Sequence, residues 1–266
     1  MNETYLAIDN VQLILTTSLL LINIIISVVL KLGLGKQLWI AGIRAVVQLL
    51  LIGYVLEWVF TLEHPPLILL VGLIMTTMAG LSSVQRTRRR FQGIYFNSIL
   101  SILVSTALIT GVTITGIIHV DPWYDPQYLI PLLGMILGNA LTGITLAIDR
   151  FMDDLTTGRD RIEAMLALGA TRWEAAHDSI RVALRTGMTP TINSMMVMGI
   201  VSLPGMMTGQ ILAGARPTDA VRYQIIILFA IAAATALASI GGILLAFLQL
   251  FSPVHQLRLD RLRRLP

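Results

Sequence analysis

Five methionines crowd one short stretch of this chain, Met195, Met196, Met198, Met206 and Met207. Their thioethers are soft ligands, suited to Cu(I) better than to iron. Methionine is also a flexible packing residue, and core filling is its ordinary role. Glu57, close to one end of another apolar run, adds a carboxylate to this candidate metal set, although its location lets it reach water. The histidines His64, His119, His177 and His255 show no metal-motif spacing, and the absence of cysteine excludes thiolate sites, disulfides and Cys nucleophiles. Glu63, Asp121 and Asp125 make two connecting loops acidic, which could help a cation leave; polar loops need no such role.

Other residues bear on a path through a membrane. In the apolar stretch around Ser202, Pro204, Gly205 and Gly209, Pro204 cannot donate to the carbonyl of Ile200 and glycine follows it, so a kink or local break is expected. Freed carbonyls are tolerated in a bilayer only where they face protein or a water-filled path. That makes Ser202, Pro204, Gly205 and Gly209 candidates for a pore lining or gate. Gly205 and Gly209, four apart, could instead admit a closely packed helix. Asn139, flanked by Gly134 and Gly138, is an intramembrane amide: interhelical glue in most proteins, a substrate contact in fewer. Arg44 and Gln48 share one face of a helix, and Arg44 can snorkel to its near surface.

Between residues 150 and 187 lies the longest hydrophilic interruption. Ile162, Met165, Leu166 and Gly169 follow the i, i+3, i+4, i+7 spacing of one helix face, and Arg159 and Glu163 pair four apart. Gly169 can end that helix in the left-handed conformation, and Thr171 with Glu174 matches a capping box that opens a second helix. The first helix reads either as an amphipathic element lying in the lipid interface or as one whose exposed apolar edge docks in a partner's groove.

The elements that position these residues are set by hydropathy. With 55% hydrophobic residues, 13% charged residues and a mean hydropathy of +0.78, the chain predicts an all-α polytopic membrane protein. About seven spans are expected, near 11–30, 38–60, 66–83, 93–118, 128–149, 188–214 and 223–251, in a single domain of residues 1–266. If they alternate, every Lys and Arg of the nineteen except Arg216 and Arg222 lies on one side. The positive-inside rule then predicts an outside N-terminus, a cytoplasmic C-terminus and a cytoplasmic helical region between spans five and six. The first apolar run reads as a retained helix. The basic pI of about 9.8 follows from these arginines, which face anionic lipid and require no nucleic acid. No phosphate-binding loop, HExxH or GxSxG occurs, so no catalytic motif is present and any ATP must be bound elsewhere.

The runs LALGAT at 166–171, IRVALRTGMTPTINS at 180–194 and GIVSLPGMMTGQILAGARP at 199–217, with RAVVQLLLIGYVL at 44–56 and GMILGNAL at 134–141, closely resemble the FetB family of iron-export permeases. The resemblance implies the membrane subunit of an ABC transporter in the plasma (inner) membrane. It also implies a homodimer that pairs with a separate nucleotide-binding subunit holding ATP and Mg, exports iron, and contributes to metal homeostasis and oxidative-stress resistance. Plant relatives belong to aluminium-tolerance systems, so the same architecture could carry another metal or a small organic or nucleotide-sugar substrate. Glu163 and Ala164 before Gly169 match the EAA-type loop of ABC importers, whereas Met165 replaces its second alanine. The resemblance thus implies ATPase coupling through Ile162, Glu163, Met165, Leu166 and Gly169. A seven-helix channel or receptor working without ATP is the alternative of a different class.

Overall fold

The structure is a computed structural model that describes residues 9–62 and 64–264. Among these, the chain is almost wholly helical: α1 (Asn10–Val29), α2 (Gly35–Leu62), α3 (Pro65–Gln85), α4 (Ile94–Gly111), α5 (Pro126–Thr157), α6 (Arg159–Ala167), α7 (Arg172–Val197), α8 (Gly205–Leu212) and α9 (Pro217–Leu250). A π-helical stretch, Val112–Ile118, continues α4. Proline occupies the first turn of α3, α5 and α9, where its missing N–H has no helical partner to lose. Asp125 caps α5 through its Oδ1, which accepts from the Gln127 N–H at 2.8 Å.

Five helical stretches, 35–62, 65–85, 94–118, 126–157 and 217–250, are long and apolar enough to cross a membrane. They coincide with the expected spans 38–60, 66–83, 93–118, 128–149 and 223–251. Helix α1 (Asn10–Val29) lies over the expected span 11–30, whereas the stretch 188–214 is divided between the end of α7 and the short α8.

The core is built around α5. Its Leu137, Ala140, Ile144, Ile148, Phe151 and Leu155 are buried with side chains of α4, α7 and α9 in one apolar cluster. Small residues make these approaches close. Along α9, Ala230, Ala234, Ala238, Gly242 and Ala246 recur every four residues and are buried, and a Cβ at Gly242 would lie 2.8 Å from Ile144 Cδ1. At the crossing of α5 and α7, a Cβ on Gly187 would meet the Gly143 carbonyl at 2.7 Å and Ala147 Cβ at 2.9 Å. By contrast α1 and α2 lie against each other and join the body through Val59, which is buried with Ile68 and Ile130.

One end of the molecule collects the basic segments. Strand β1 (Arg89–Phe91), in the α3–α4 connection, pairs antiparallel with β2 (Leu262–Arg264), so that Arg89 faces Arg264 and Arg90 faces Arg263. The Arg88 N–H donates to Asp149 Oδ1 at 2.8 Å, and Arg89 bridges to Asp153 at 3.2 Å. The Arg172 N–H meets His255 Nδ1 at 2.9 Å. These long-range contacts tie the α3–α4 turn, the C-terminal half of α5, the start of α7 and the C-terminal segment into one basic end.

Candidate functional site

The outward faces of the long helices are not alike. On α4 and α9 the most exposed large residues are apolar, among them Phe96, Val104, Leu108, Phe229, Leu237 and Leu248. Leu and Ile also cover the outside of α1 and α2. The outward face of α5 instead carries Gly138, Asn139, Thr142, Leu146 and Arg150, and that of the adjacent α7 carries Arg185, Thr186, Thr189 and Asn193. The spacings 139, 142, 146, 150 and 185, 189, 193 repeat every three or four residues, so each set lies along one side of its helix. The hydroxyls partly satisfy themselves: Thr142 donates to the Gly138 carbonyl at 3.0 Å, Thr189 to that of Arg185 at 2.8 Å and Thr186 to that of Val182 at 2.9 Å. Asn139, exposed, donates through its Nδ2 to the Met135 carbonyl at 2.9 Å. A run of amides and hydroxyls at membrane depth is unfavourable against lipid tails and favourable against protein or a water-filled cleft.

Asn139 is the one residue of this face singled out from sequence. Thr142, Thr189 and Asn193 were missed, although the separation of Thr186, Thr189 and Asn193 by three and four residues is a helical-face signal in the sequence itself. Toward the basic end the face opens on a cavity of about 300 Å³ where Arg88, Asp149, Arg150, Asp153 and Thr186 meet, joining the α3–α4 connection to α5 and α7.

The expected break is present in the stretch between α7 and α8, and it begins earlier than Pro204. Met198 turns extended and Gly199 adopts φ +83°, a conformation that glycine takes without penalty. The Val197 carbonyl accepts from the N–H groups of Ile200 and Val201 at 3.3 and 2.9 Å, and the Gly199 N–H donates to the Ser202 carbonyl at 2.9 Å. Pro204 itself stands at the N-cap of α8, where it has no helical bond to break, and its carbonyl starts α8 by accepting from the Thr208 N–H at 3.0 Å. Ile200, Val201, Ser202 and Leu203 are exposed, as are Gly205 and Gly209, and a Cβ on either of these glycines would meet nothing within 4 Å. Among the described residues, no helix packs against that glycine pair.

The candidate metal ligands do not converge. Met206 packs against the buried Ile114, Leu132 and Ile227. Met196 is exposed, Met195 and Met207 are half-buried, and Met198 Sδ lies 4.0 Å from Gln224 Nε2. Glu57 is exposed on α2, outside the body formed by α3–α9. Among the described residues, no three His, Asp or Glu side chains gather as a metal site would require. Glu63 lies outside the described residues.

In the helical region 150–187 the local geometry follows the sequence signals. Arg159 Nε meets Glu163 Oε1 at 2.7 Å, Gly169 takes φ +94°, and both bonds of the Thr171–Glu174 capping box form. The apolar edge, however, turns inward. Ile162 is fully buried in the main core, with Met165 and Leu166 half-buried against it. The same periodicity that suggested a free docking edge is produced by packing α6 onto α5 and α7. What α6 presents outward is Arg159, Asp160, Arg161, Glu163, Ala164, Ala167 and Leu168, the last 89% exposed, followed by Gly169.

The profile of the family described as "Uncharacterised protein family (UPF0014)" matches residues 10–251. "UPF0014 membrane protein slr1647" of Synechocystis sp. is 42% identical over 84% of this chain and 86% of its own length. "Probable iron export permease protein FetB" of Escherichia coli is 33% identical over 97% of this chain and 98% of its own. "Protein ALUMINUM SENSITIVE 3" of Arabidopsis thaliana is 33% identical over 90% of this chain and 86% of its own. No solved structure matches this chain.

Proposed function

This chain belongs to the UPF0014 family of membrane proteins, and from that premise we propose that it is the membrane subunit of an ABC transporter that exports iron from the cytoplasm. The observation that carries the transport reading is the polar stripe on the outward face of α5 and α7, which contrasts with the apolar outward faces of α4 and α9. Such a face needs a partner other than lipid, and a second copy of this chain enclosing a hydrated path between the two supplies one. In the proposed topology α1 and the α7–α8 pair complete seven spans in the inner (plasma) membrane. The N-terminus is outside, and the basic end is cytoplasmic, as the positive-inside rule requires. The iron assignment draws on the likeness to the Escherichia coli protein named for iron export, which extends over nearly the whole of both chains.

ATP and Mg belong on a separate nucleotide-binding subunit. The outward residues of α6, with Glu163 and Leu168 foremost, are the surface on which it would dock, while buried Ile162 and half-buried Met165 and Leu166 transmit the push to α5 and α7. Movement of α7 would then shift the break at 198–204 and the exposed glycines of α8, switching access between sides. The test is ATP hydrolysis by the chain copurified with its ATPase in lipid, titrated with ferrous iron. Stimulation by iron that is lost in L168R combined with E163Q, with the complex still folded, supports the reading. Hydrolysis unaffected by that pair of substitutions refutes docking on α6.

A second reading keeps the architecture and changes the cargo. The scattered methionines and the absence of a carboxylate–histidine cluster among the described residues favour a transient path over a tight iron site. The plant relative is named for aluminium. Hydrolysis stimulated by another metal or by a small organic anion, and not by iron, would select it.

A further inference from the structure

A cavity of about 450 Å³ opens where α5, α6 and α7 meet, lined by neither Glu163 nor Leu168 of the α6 surface assigned to the ATPase. Three arginines line it, Arg161 from α6 and Arg181 and Arg185 from α7, together with Asp154, Asp178 and Ser179. Both carboxylates are already engaged. Asp178 Oδ2 holds Arg161 at 3.1 Å, and Asp154 Oδ1 holds Arg150 at 2.9 Å. Among the described residues Arg181 and Arg185 have no ion pair, so the cavity carries two uncompensated positive charges one helical turn apart. Ser179, 1% exposed, is one of the residues around the same space, and its hydroxyl has no hydrogen-bond partner. Like the unpaired hydroxyls of Ser98 and Ser239, it is free to donate to a ligand or water that reaches it.

We propose that this cavity is an anion site for a phosphate group, with Arg181 and Arg185 as its charged donors and the Ser179 hydroxyl as a neutral one. Guanidinium groups match phosphate oxygens in pairs of parallel hydrogen bonds, and the hydroxyl completes a third direction. Depth agrees with this chemistry. The apolar run of α5 ends at Asp149, and Asp154 lies five residues farther, about 7.5 Å along the axis at ~1.5 Å per residue. That is the outer edge of the headgroup layer, roughly 5–7.5 Å thick, that flanks the hydrocarbon core. The phosphate therefore comes either from an anionic phospholipid or from a small phosphate-bearing anion that reaches the same depth from water. The site does not depend on the transport reading: it is defined by the cavity and its charges alone.

The test uses the full-length chain in phosphatidylcholine nanodiscs. One arm titrates inorganic phosphate against chloride at matched ionic strength and follows the thermal midpoint. The other counts phosphatidylglycerol retained on extraction from mixed bilayers, by mass spectrometry. Removing either arginine, as R181Q or R185Q, is expected to weaken binding by about tenfold or more, the scale of one charge-assisted hydrogen bond. S179A weakens it a few-fold. D178N, which releases Arg161 from its carboxylate, tightens it, and mere damage to the fold cannot produce that sign. R263Q, at the same end but outside the cavity, leaves it unchanged. A response in the phosphate arm alone assigns the site to a soluble anion; retention of phosphatidylglycerol alone assigns it to a lipid headgroup. No response in either arm, or equal losses in R263Q and R185Q, overturns the proposal.

Discussion

The outward faces of α5 and α9 are both exposed in the isolated chain, yet they are built for different surroundings. Along α9, Phe229, Leu237, Leu244 and Leu248 reach outward while alanines and Gly242 point in toward α5. This is the arrangement for a helix with lipid on one side and a close neighbour on the other. Along α5 the order is partly reversed: Ile136, Leu137, Ala140 and Ile144 point in, while Gly138, Asn139 and Thr142 point out. Exposure alone therefore says nothing about what a membrane helix faces; the chemistry of the exposed atoms does. Exchanging the two chemistries is the sharpest way to test the contrast. Leu237→Arg puts a cation on a lipid face and should cost about 3 kcal/mol of membrane insertion, the scale for arginine near the centre of a span, read as a lost glycosylation-mapped topology or as degraded protein. Asn139→Leu, made in the opposite sense, should leave folding and insertion intact and abolish transport. If Asn139→Leu behaves as a neutral lipid-facing change in both assays, α5 faces lipid and the contrast fails.

The contrast also depends on how α7 is held beside α5. The Gly143–Gly187 crossing brings the two backbones close enough that a methyl on Gly187 would press on the Gly143 carbonyl and on Ala147. Gly187→Ala should cost about 1–3 kcal/mol, as overpacking of a tight contact does, measured as a lowered unfolding midpoint in detergent. Gly138→Ala, on the polar face where a Cβ would meet nothing within 4 Å of this chain, should leave the midpoint unchanged. It should, however, weaken self-association if a second copy covers that face. A Gly138→Ala variant with unaltered association would move the covering partner away from α5.

How much of this was readable in advance follows from which signals are local. Length and hydropathy located α2, α3, α4, α5 and α9 because a span must carry its apolarity in consecutive residues. The capping box at Thr171–Glu174 and the turn at Gly169 were readable because their partners lie within three or four positions. Direction was not. The apolar edge of α6 has the same spacing whether it waits for a partner or, as with Ile162, is buried in its own core. The sequence points to Pro204 for the break, yet proline at an N-cap breaks nothing, and the chain leaves the helix at Gly199, whose positive φ no α-helix continues. The β1–β2 pairing joins two arginine-rich segments more than 170 positions apart, against strand propensity, and nothing short-range announces it.

The smallest effect concerns how firmly α7 is launched toward its polar stretch. The N-cap of α9, Arg216, makes no side-chain capping bond, whereas Thr171 and Glu174 close both bonds at the start of α7. The N–H and hydroxyl of Thr171 each donate to Glu174 Oε2 at 2.7 Å, and these bonds hold the Glu174 carboxyl below the usual glutamate range. A carboxyl whose pKa is lower folded than unfolded stabilises the fold fully above its ordinary pKa and stops doing so as pH falls through the lowered value. Amide exchange in the first turn of α7 should therefore quicken as the pH is taken below the glutamate range, and Glu174→Gln should remove that pH dependence while keeping the turn. Thr171→Ala should cost about 1 kcal/mol at neutral pH, a typical N-cap value. If acid loosens the starts of α7 and α9 equally, the cap is not what distinguishes them, and the rigidity of the polar face rests on the glycine crossing alone.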